Sequence, residues 1–339
     1  MPMTDWCRRD TARQHALVIL PTFNRARLLP SAIESVLLQD YPHKKLVIVD
    51  DGSTDDTRDV CRQYVKAQPE MVFYISKPNG GCASSRNVGL QSIDRETGYV
   101  CFLDSDDRFL SGKLSREVAL LAQHPDADFS YSDTVIFEEE TGREEVRKVA
   151  GARAPSRFAI EHFLTLEGKV SSILYRVEVF QGRRFREDFR YNEDSDFLQR
   201  VALECRGIYC NEPGSWVRSH PGSKSRNLLE INRAVLQSCR EILESYPAFH
   251  REHAAAVDRR MERLRTLLFR ELMEQGLYAE ARAHASTAVE TVIATLRLRH
   301  VCEPYWVWRS FLREPKKVRR AYWRAHALLR SAMSGRPRR

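Results

Sequence analysis

Short apolar runs alternate with amphipathic stretches along the first hundred residues of the chain. Between the runs, apolar residues at helical spacing predict helices over 27–39 and 57–67, and another from about Ser84. The apolar runs themselves are continuous, which is typical of strands buried on both faces, and they cover 16–20, 46–49, 72–75 and 99–103. The pattern predicts an α/β fold with a mostly parallel nucleotide-binding sheet flanked by helices.

The pattern becomes less regular after Pro125. We predict a strand over 129–137, a charged hairpin that turns at Thr141-Gly142, a short strand over 172–175 and a helix over 194–204. Beyond about Ser225 every segment has helical spacing, which predicts helices over 228–245, 250–275, 279–298 and 306–332. The predicted parts are a flexible N-terminus (1–14), an α/β domain (15–226) and an α-helical C-terminal extension (227–339) with a basic amphipathic tail.

The composition indicates a cellular compartment and disfavours a membrane-spanning protein. The chain has 339 residues, of which 42% are hydrophobic, enough for one large core and a smaller appendage. Its eight cysteines form no CxxC pair or zinc-like cluster, and no signal peptide is evident. We therefore expect reduced thiols and a cytoplasmic protein. No apolar run approaches the length that crosses a bilayer.

Three carboxylates follow the fourth strand within four residues, at Asp104, Asp106 and Asp107. Their mutual repulsion favours a bound cation, and oxygen ligands suit a hard divalent ion such as Mg²⁺ or Mn²⁺. At the carboxyl end of a parallel strand, such an ion indicates a diphosphate site. An acidic turn that only caps the next helix is the alternative.

Polar residues also follow the first two strands. Pro21 is expected to end the first strand, after which Thr22 and Asn24 can hydrogen-bond a ligand at the carboxyl edge of the sheet. The same turn can instead cap the next helix. After the second strand, Asp51 is the best candidate to accept a hydrogen bond from a base N–H or a ribose hydroxyl.

The turn after the third strand is rich in glycine. Asn79, Gly80 and Gly81 let the backbone approach a ligand closely, and Arg86 near a helix start can meet a phosphate. Arg86 can instead be a structural counter-charge for Asp104. No GxGxxG motif follows any strand, which disfavours a dinucleotide-dependent dehydrogenase.

Four segments resemble, in this order, family 2 glycosyltransferases of the GT-A fold. They are VILPTFNRARLLPSAIESVL, VIVDDGSTDDT, NGGCASSRNVGL and YVCFLDSDDRFLSGKL, and the resemblance covers about residues 15 to 225. It implies an inverting transfer from a nucleotide-diphosphate sugar, with Mn²⁺ or Mg²⁺ bound through the DXD motif at Asp104 and Asp106. The nucleotide-sugar-binding residues that it implies are Pro21, Thr22, Asn24, Arg25, Asp51, Asn79, Gly81, Arg86, Asp104 and Ser105.

The segment 191–200 resembles the family's Glu-Asp segment at the acceptor edge. The resemblance implies that Asp194 is the general base and that Glu193 lies on the acceptor side. A base is needed because the acceptor hydroxyl must lose its proton as it attacks the anomeric carbon. In the alternative, Asn192 or Asp194 only caps the helix that follows.

The segment 216–226 resembles the family's late segment, in which a histidine follows an aromatic-and-arginine strand. His220 is then expected to complete the metal shell or bind the diphosphate, and Lys224 or Arg226 to neutralise phosphate. The Gly and Ser content predicts a mobile lid. A solitary surface histidine without a role is the alternative.

The C-terminal segment 316–330 is basic, with Tyr, Trp and Leu at helical spacing, and much of the net charge of +8 lies beyond Pro304. Contact with an anionic membrane surface and packing on the catalytic domain both stay open. Nucleic acid is disfavoured as a partner because no binding module is present.

The resulting hypothesis is a glycosyltransferase that moves a sugar, from a UDP-sugar by family usage, to an acceptor hydroxyl. The resemblance implies a glycan or lipid-linked saccharide of cell-envelope polysaccharide synthesis as acceptor, and peripheral contact with the inner face of the cell membrane. The alternatives are a nucleotidyltransferase-type enzyme, which would release pyrophosphate, and a non-catalytic nucleotide-sugar-binding scaffold.

Overall fold

The computed structural model describes residues 14–149, 157–166, 168–220 and 227–284. Within them the strands are β1 His15–Thr22, β2 Lys44–Asp50, β3 Val72–Ser76, β4 Thr97–Phe102, β5 Arg108–Phe109, β6 Phe129–Glu138, β7 Arg143–Arg147, β8 Ile173–Arg176 and β9 Gly207–Ser219. The helices are α1 Leu29–Leu37, α2 Thr57–Ala67, α3 Gly81–Gly89, α4 Lys113–Gln123, α5 Phe158–Thr165, α6 Glu193–Glu204, α7 Leu228–Ser245, α8 Pro247–Glu274 and α9 Tyr278–His284.

All described strands belong to one sheet, in the order β3-β2-β1-β4-β8-β6-β9-β5, with β7 paired to β6. The first four strands of the chain are parallel to one another, as predicted from their continuous apolar runs. Beyond β4 the sheet is mixed, because β8 runs antiparallel to both β4 and β6 while β9 runs parallel to β6. The predicted α/β class is confirmed, and the parallel pairing describes its N-terminal half.

Each face of the sheet has its own apolar core, because successive side chains of a strand point to opposite faces. In β1, Leu17 and Ile19 join the core that includes residues of α3, α5 and α6, here called the α6 face. Val18 and Leu20 join the core that includes residues of α1, α2 and α4. Each fully buried Leu, Ile or Val stabilises the fold by about 1.5–3 kcal/mol.

Pro21 does not end the first strand, which corrects the sequence-based expectation. Strand β1 continues to Thr22, and Pro21 is in register with Val49 of β2. Thr22 accepts a backbone hydrogen bond from the β2 side and Ile19 accepts one from Leu103 on the β4 side. Pro21 therefore faces β4 beyond the last β1–β4 pair, where the missing N–H breaks no ladder bond.

The chain divides into two compact units, Met1–Val257 and Asp258–Arg339. Helix α7, which has the bounds predicted for it, lies in the first unit. The predicted domain boundary at residue 226 stays a prediction. The predicted helix over 306–332 and most of that over 279–298 lie outside the described residues. None of the helices that the structure describes is both long and apolar enough to cross a membrane.

Candidate active site

Two loops meet at the carboxyl ends of β1 and β2. The backbone of Asn24 lies in the left-handed region, with φ of 51°. Its N–H donates to Ser53 Oγ at 2.8 Å, and its side-chain Oδ1 accepts from Thr54 N at 2.8 Å. Asn24 thus joins the loops, whereas the buried Thr22 Oγ1 next to it has no hydrogen-bond partner in the described residues. Thr22 is therefore the residue here with an uncommitted hydroxyl.

The Asp51 carboxylate organises the next loop. It accepts hydrogen bonds from Lys77 Nζ at 2.6 Å, from Gly80 N at 2.8 Å and from Gly81 N at 2.7 Å. The Asn79 side chain donates to the Asp51 carbonyl at 3.0 Å. Asp51 is buried, so it fixes the start of α3 against the end of β2. Its predicted contact with the nucleotide base stays a prediction.

The acidic motif forms a tight turn at the end of β4. The backbone N–H of Asp107 donates to the Asp104 carbonyl at 3.0 Å, and the Asp107 carboxylate accepts from Arg218 N at 3.1 Å. Burial, together with the charges of Asp104 and Asp106, raises the pKa of Asp107. Ser105 is buried within the turn. Asp107 therefore connects the turn to β9 instead of facing a ligand.

His220 lies beside the second aspartate of the motif. Strand β9 ends at Ser219, and His220 Nε2 lies 3.1 Å from Asp106 Oδ2. The Arg25 guanidinium is 3.9 Å from the same Asp106 oxygen. The structure thus brings together three predicted site residues from three separate segments.

Arg86 connects the acidic turn to α6. The side chain is 2% exposed, and it donates to Asp104 Oδ1 at 2.8 Å and to Glu193 Oε1 at 2.9 Å. Its guanidinium also lies 5.4 Å from the centre of the Phe185 ring. The counter-charge role for Asp104 is therefore observed. Arg86 lies in the last turn of α3 and not at a helix start, which corrects the sequence-based expectation, and its contact with a phosphate stays a prediction.

The carboxylate of Asp104 is influenced by both halves of the site. Burial is the largest cause that raises its pKa; the charges of Asp106 and Asp194 raise it further, whereas Arg86 opposes them. These three aspartates are therefore close enough to interact electrostatically. Their roles in binding and catalysis stay predictions.

The first turn of α6 presents three acidic side chains in different directions. Glu193 meets Arg86, and the fully buried Asp196 accepts from Arg200 Nε at 2.9 Å and from Ser238 Oγ of α7 at 2.8 Å. Asp194 accepts from the N–H of Ser195 at 2.8 Å and has no cationic partner within 4 Å among the described residues. Asp194 is thus the acid of this turn that is not neutralised by the fold.

The capping alternative fails for Asn192. This residue precedes α6 with φ of 64°, and its side chain makes no capping hydrogen bond. The helix start is fixed by tertiary contacts of its first turn instead.

Several residues at the site were not predicted from the sequence. Phe23 is 45% exposed at the carboxyl edge, between Thr22 and Asn24. An aromatic residue directly after a buried strand was the available signal. Lys77 holds the glycine-rich loop through Asp51 and carries no motif of its own. Asp107 was part of the acidic cluster, but its contact with β9 was not predicted. Lys224 and Arg226 lie outside the described residues.

The acidic and histidine side chains of the site suit a divalent cation that is held partly by the phosphates of a substrate. In the part of the chain that the structure describes, no three His, Cys, Asp or Glu side chains are grouped closely enough to hold a metal ion alone. Carboxylates near one imidazole nonetheless fit Mn²⁺ or Mg²⁺, because Mg²⁺ in particular is commonly bound through one or two carboxylates plus substrate phosphates. The residues present therefore fit a metal–diphosphate site.

Residues 17–186 match the family described as Glycosyl transferase family 2. TuaG of Bacillus subtilis (strain 168), assigned by name to teichuronic acid biosynthesis, is 35% identical over 131 residues, 38% of this chain and 48% of TuaG. The GalNAc(5)-diNAcBac-PP-undecaprenol beta-1,3-glucosyltransferase of Campylobacter jejuni subsp. jejuni is 30% identical over 184 residues, 52% of this chain and 56% of the relative. The chain spans about half the length of these curated relatives.

Two solved structures share the fold. TarS 1–349 of S. aureus in complex with UDP-GlcNAc has a TM-score of 0.56 at 20% identity, over 80% of this chain and 88% of that one. The mannosyltransferase PcManGT from Pyrobaculum calidifontis, in complex with GDP-Man and Mn²⁺, has a TM-score of 0.55 at 17% identity, over 88% and 83%. At these identities the likeness concerns the fold, which is of the GT-A type.

Proposed function

Since the chain belongs to glycosyl transferase family 2, we propose that it transfers a sugar from a nucleotide-diphosphate sugar to an acceptor hydroxyl, with inversion at the anomeric carbon. The observation that carries the proposal is the ion pair of Arg86 with both Asp104, which follows β4, and Glu193, the neighbour of Asp194 in α6. Ligands of open α/β sheets bind at the carboxyl edge of the sheet.

The nucleotide lies, in this proposal, across the ends of β1 and β2. The free hydroxyl of Thr22 supports this, since a buried hydroxyl without a partner gains a hydrogen bond when a ligand arrives. The exposed ring of Phe23 offers a surface on which a base can stack. We propose a UDP-sugar as donor; TarS, which shares the fold, was solved with UDP-GlcNAc.

Asp104, Asp106 and His220 are the residues that would hold a divalent cation, Mn²⁺ or Mg²⁺. Such an ion supplies neutralisation of the charge that develops on the leaving diphosphate. The contact between His220 and Asp106 supports a shared role for these two side chains. Arg86 keeps one oxygen of Asp104 in a fixed position, so the direction of that carboxylate is set before any ligand binds.

Asp194 is proposed as the general base that takes the proton of the acceptor hydroxyl. Asp194 makes no ion pair in the described residues, so its carboxylate oxygens stay available to a hydroxyl proton. Glu193 is neutralised by Arg86 and Asp196 is buried behind the turn, so neither competes for this role. Attack from the side opposite the diphosphate then inverts the anomeric centre in one displacement.

The acceptor is proposed to be a glycan or lipid-linked saccharide of the cell envelope. Two relatives support this class, one named for teichuronic acid biosynthesis and one for a substrate carried on undecaprenol diphosphate.

The test combines donor binding with turnover. Wild-type protein is first screened by thermal shift against nucleoside-diphosphate sugars with and without Mn²⁺, and the best donor is used to measure release of nucleoside diphosphate. We expect Asp194→Asn to bind this donor almost normally and to lose at least about 100-fold in turnover, as for loss of a general base. Asp106→Ala should remove the metal-dependent part of donor binding. Asp59→Asn, an exposed acid of α2, is the control.

Unchanged turnover in Asp194→Asn would refute the base assignment. Release of pyrophosphate instead of nucleoside diphosphate would indicate a nucleotidyltransferase. Donor binding without any turnover in wild-type protein would indicate a scaffold.

A further inference from the structure

The first turn of α6 is contacted by a histidine that the mechanism above does not use. His162 of α5 is 2% exposed, and its Nε2 lies 3.3 Å from the backbone oxygen of Ser195. The imidazole is stacked on the Phe158 ring, with the centroids 5.9 Å apart and the planes 10° from parallel. A Cβ added at Gly168 would lie 3.1 Å from His162 Nδ1, so the backbone closes the other edge of the ring. The imidazole is thus fixed on three sides.

The ring is neutral and its proton lies on Nε2. Burial lowers the pKa of His162 to about 4, so the imidazole carries no charge near pH 7. The carbonyl of Ser195 can only accept, so the ring nitrogen facing it must be the donor. Nδ1 is then an acceptor, and it has no hydrogen-bond partner in the described residues. The contact with Ser195 is therefore the hydrogen bond that orients this side chain.

Ser195 links His162 to the candidate base. Its carbonyl faces His162, while its own N–H donates to Asp194 Oδ1 at 2.8 Å. A change in the direction of the Ser195 backbone would therefore change the direction of the Asp194 carboxylate. The neighbouring side chains of the turn, Glu193 and Asp196, are already held by α3 and α7. His162 supplies the corresponding contact from α5.

We propose that His162 is a positioning residue for the transfer reaction: its hydrogen bond to the Ser195 carbonyl fixes the first turn of α6 and so aims the Asp194 carboxylate at the acceptor hydroxyl. This inference rests on the proposed function of Asp194. His162 does not contact substrate and exchanges no proton in the reaction. His162 affects the transfer rate through the geometry of the reactive complex, in which a displacement of about 1 Å costs on the order of 100-fold in rate.

Two variants separate positioning from packing. His162→Leu removes the donor and keeps an apolar side chain in the core, whereas His162→Gln retains an amide N–H at nearly the same distance from the backbone. Phe163→Leu is the matched control, because Phe163 is an equally buried neighbour on α5 whose ring packs against Phe249. The readouts are kcat and KM for transfer and for hydrolysis of the best donor, together with the melting temperature.

We expect kcat of His162→Leu to fall about 10- to 100-fold with KM for the donor within about twofold of wild type. His162→Gln should recover most of that loss. Phe163→Leu should lower the melting temperature and leave kcat close to wild type.

The proposal is overturned if His162→Leu keeps wild-type kcat, if Phe163→Leu loses as much kcat as His162→Leu, or if folded His162→Gln is no better than His162→Leu. These failures are distinct from failure of the proposed function. If Asp194→Asn abolishes turnover while His162→Leu does not, only the positioning role is wrong. If wild-type protein shows no donor turnover, both proposals fall.

Discussion

Arg86 is the residue that joins the two halves of the site. Its guanidinium pairs with Asp104, which follows β4, and with Glu193, which begins α6. A planar guanidinium has donors in fixed directions and can serve two carboxylates at once. The ammonium of lysine is a single compact charge. The position therefore requires arginine in particular and not simply a cation.

Arg86→Lys is expected to reduce donor turnover by about 100-fold and to destabilise the protein. Lysine can reach one of the two carboxylates. The cost is largest if Glu193, which is 10% exposed, is left without its partner, at about 3–5 kcal/mol. Turnover and urea unfolding measure the two effects. Arg183→Lys, in the more exposed pair with Glu204, is the control and should change stability by less than about 1 kcal/mol. Equal effects of the two substitutions would contradict this role for Arg86.

The sequence could identify Arg86 but not its second partner. Asp104 was a candidate because it belongs to the acidic cluster that Arg86 could meet. Glu193 is 107 positions away, and the antiparallel strand β8 and helix α5 intervene. Partners brought together by such long connections leave no local pattern.

Helix α4 contains a buried ion pair that was not predicted from any sequence motif. Lys113 and Glu117 are one turn apart and almost fully buried, with 2.7 Å between Lys113 Nζ and each Glu117 carboxylate oxygen. The hydroxyls of Ser130 and Ser132 on β6 also donate to Glu117. These bonds fix the position of α4 along the sheet, where apolar contacts alone allow sliding. The pair therefore specifies one arrangement of helix and strand.

Lys113→Met is expected to destabilise the protein by about 3–5 kcal/mol, because the Glu117 carboxylate would be left buried without a cation. The double variant Lys113→Met, Glu117→Leu should recover part of that loss. Urea unfolding monitored by circular dichroism measures both. Arg157→Met breaks an exposed pair of the same spacing on α5 and should cost less than about 1 kcal/mol. If Lys113→Met cost no more than this control, the buried pair would not contribute as described.

At the scale of elements, the sequence was most informative where burial is uniform. The first four strands of the parallel region are continuous apolar runs, and each predicted run lies within an observed strand or ends one residue beyond it. Helix α4 was missed although Leu114, Val118 and Leu121 follow helical spacing. Strand β9 was recognised only near Trp216, because its polar residues 211–213 interrupt the pattern. Its register with β6 shifts at this point, which explains the interruption.

At the scale of the whole molecule, α7 belongs to the unit that contains the site. Ser238 of α7 donates to the buried Asp196 of α6, and Asn227 at the start of α7 donates to the Tyr191 hydroxyl at 3.4 Å. The sequence predicts an α-helical extension from residue 227 because every segment beyond about Ser225 has helical spacing. The contacts of Ser238 and Asn227 show that α7 also has partners before residue 226.

We therefore expect a chain ending at residue 226 to lose cooperative folding, because the buried Asp196 would lose its hydrogen bond from Ser238 and the cover that α7 provides. A chain ending at residue 257 retains α7 and should unfold in one transition. Thermal and urea unfolding of the two chains is the measurement. A cooperative, stable chain ending at residue 226 would show that α7 is dispensable for this unit.

The proline in β1 has a consequence for how far β1 and β4 stay paired. A residue with an N–H at position 21 could donate to the carbonyl of Leu103 and carry the pairing of β1 and β4 one step further. Proline cannot donate, so the two strands separate at this level and the backbone after Leu103 is released from the sheet. The end of the ladder thus coincides with a missing donor: an imino acid within the scaffold marks where the acidic turn leaves the sheet.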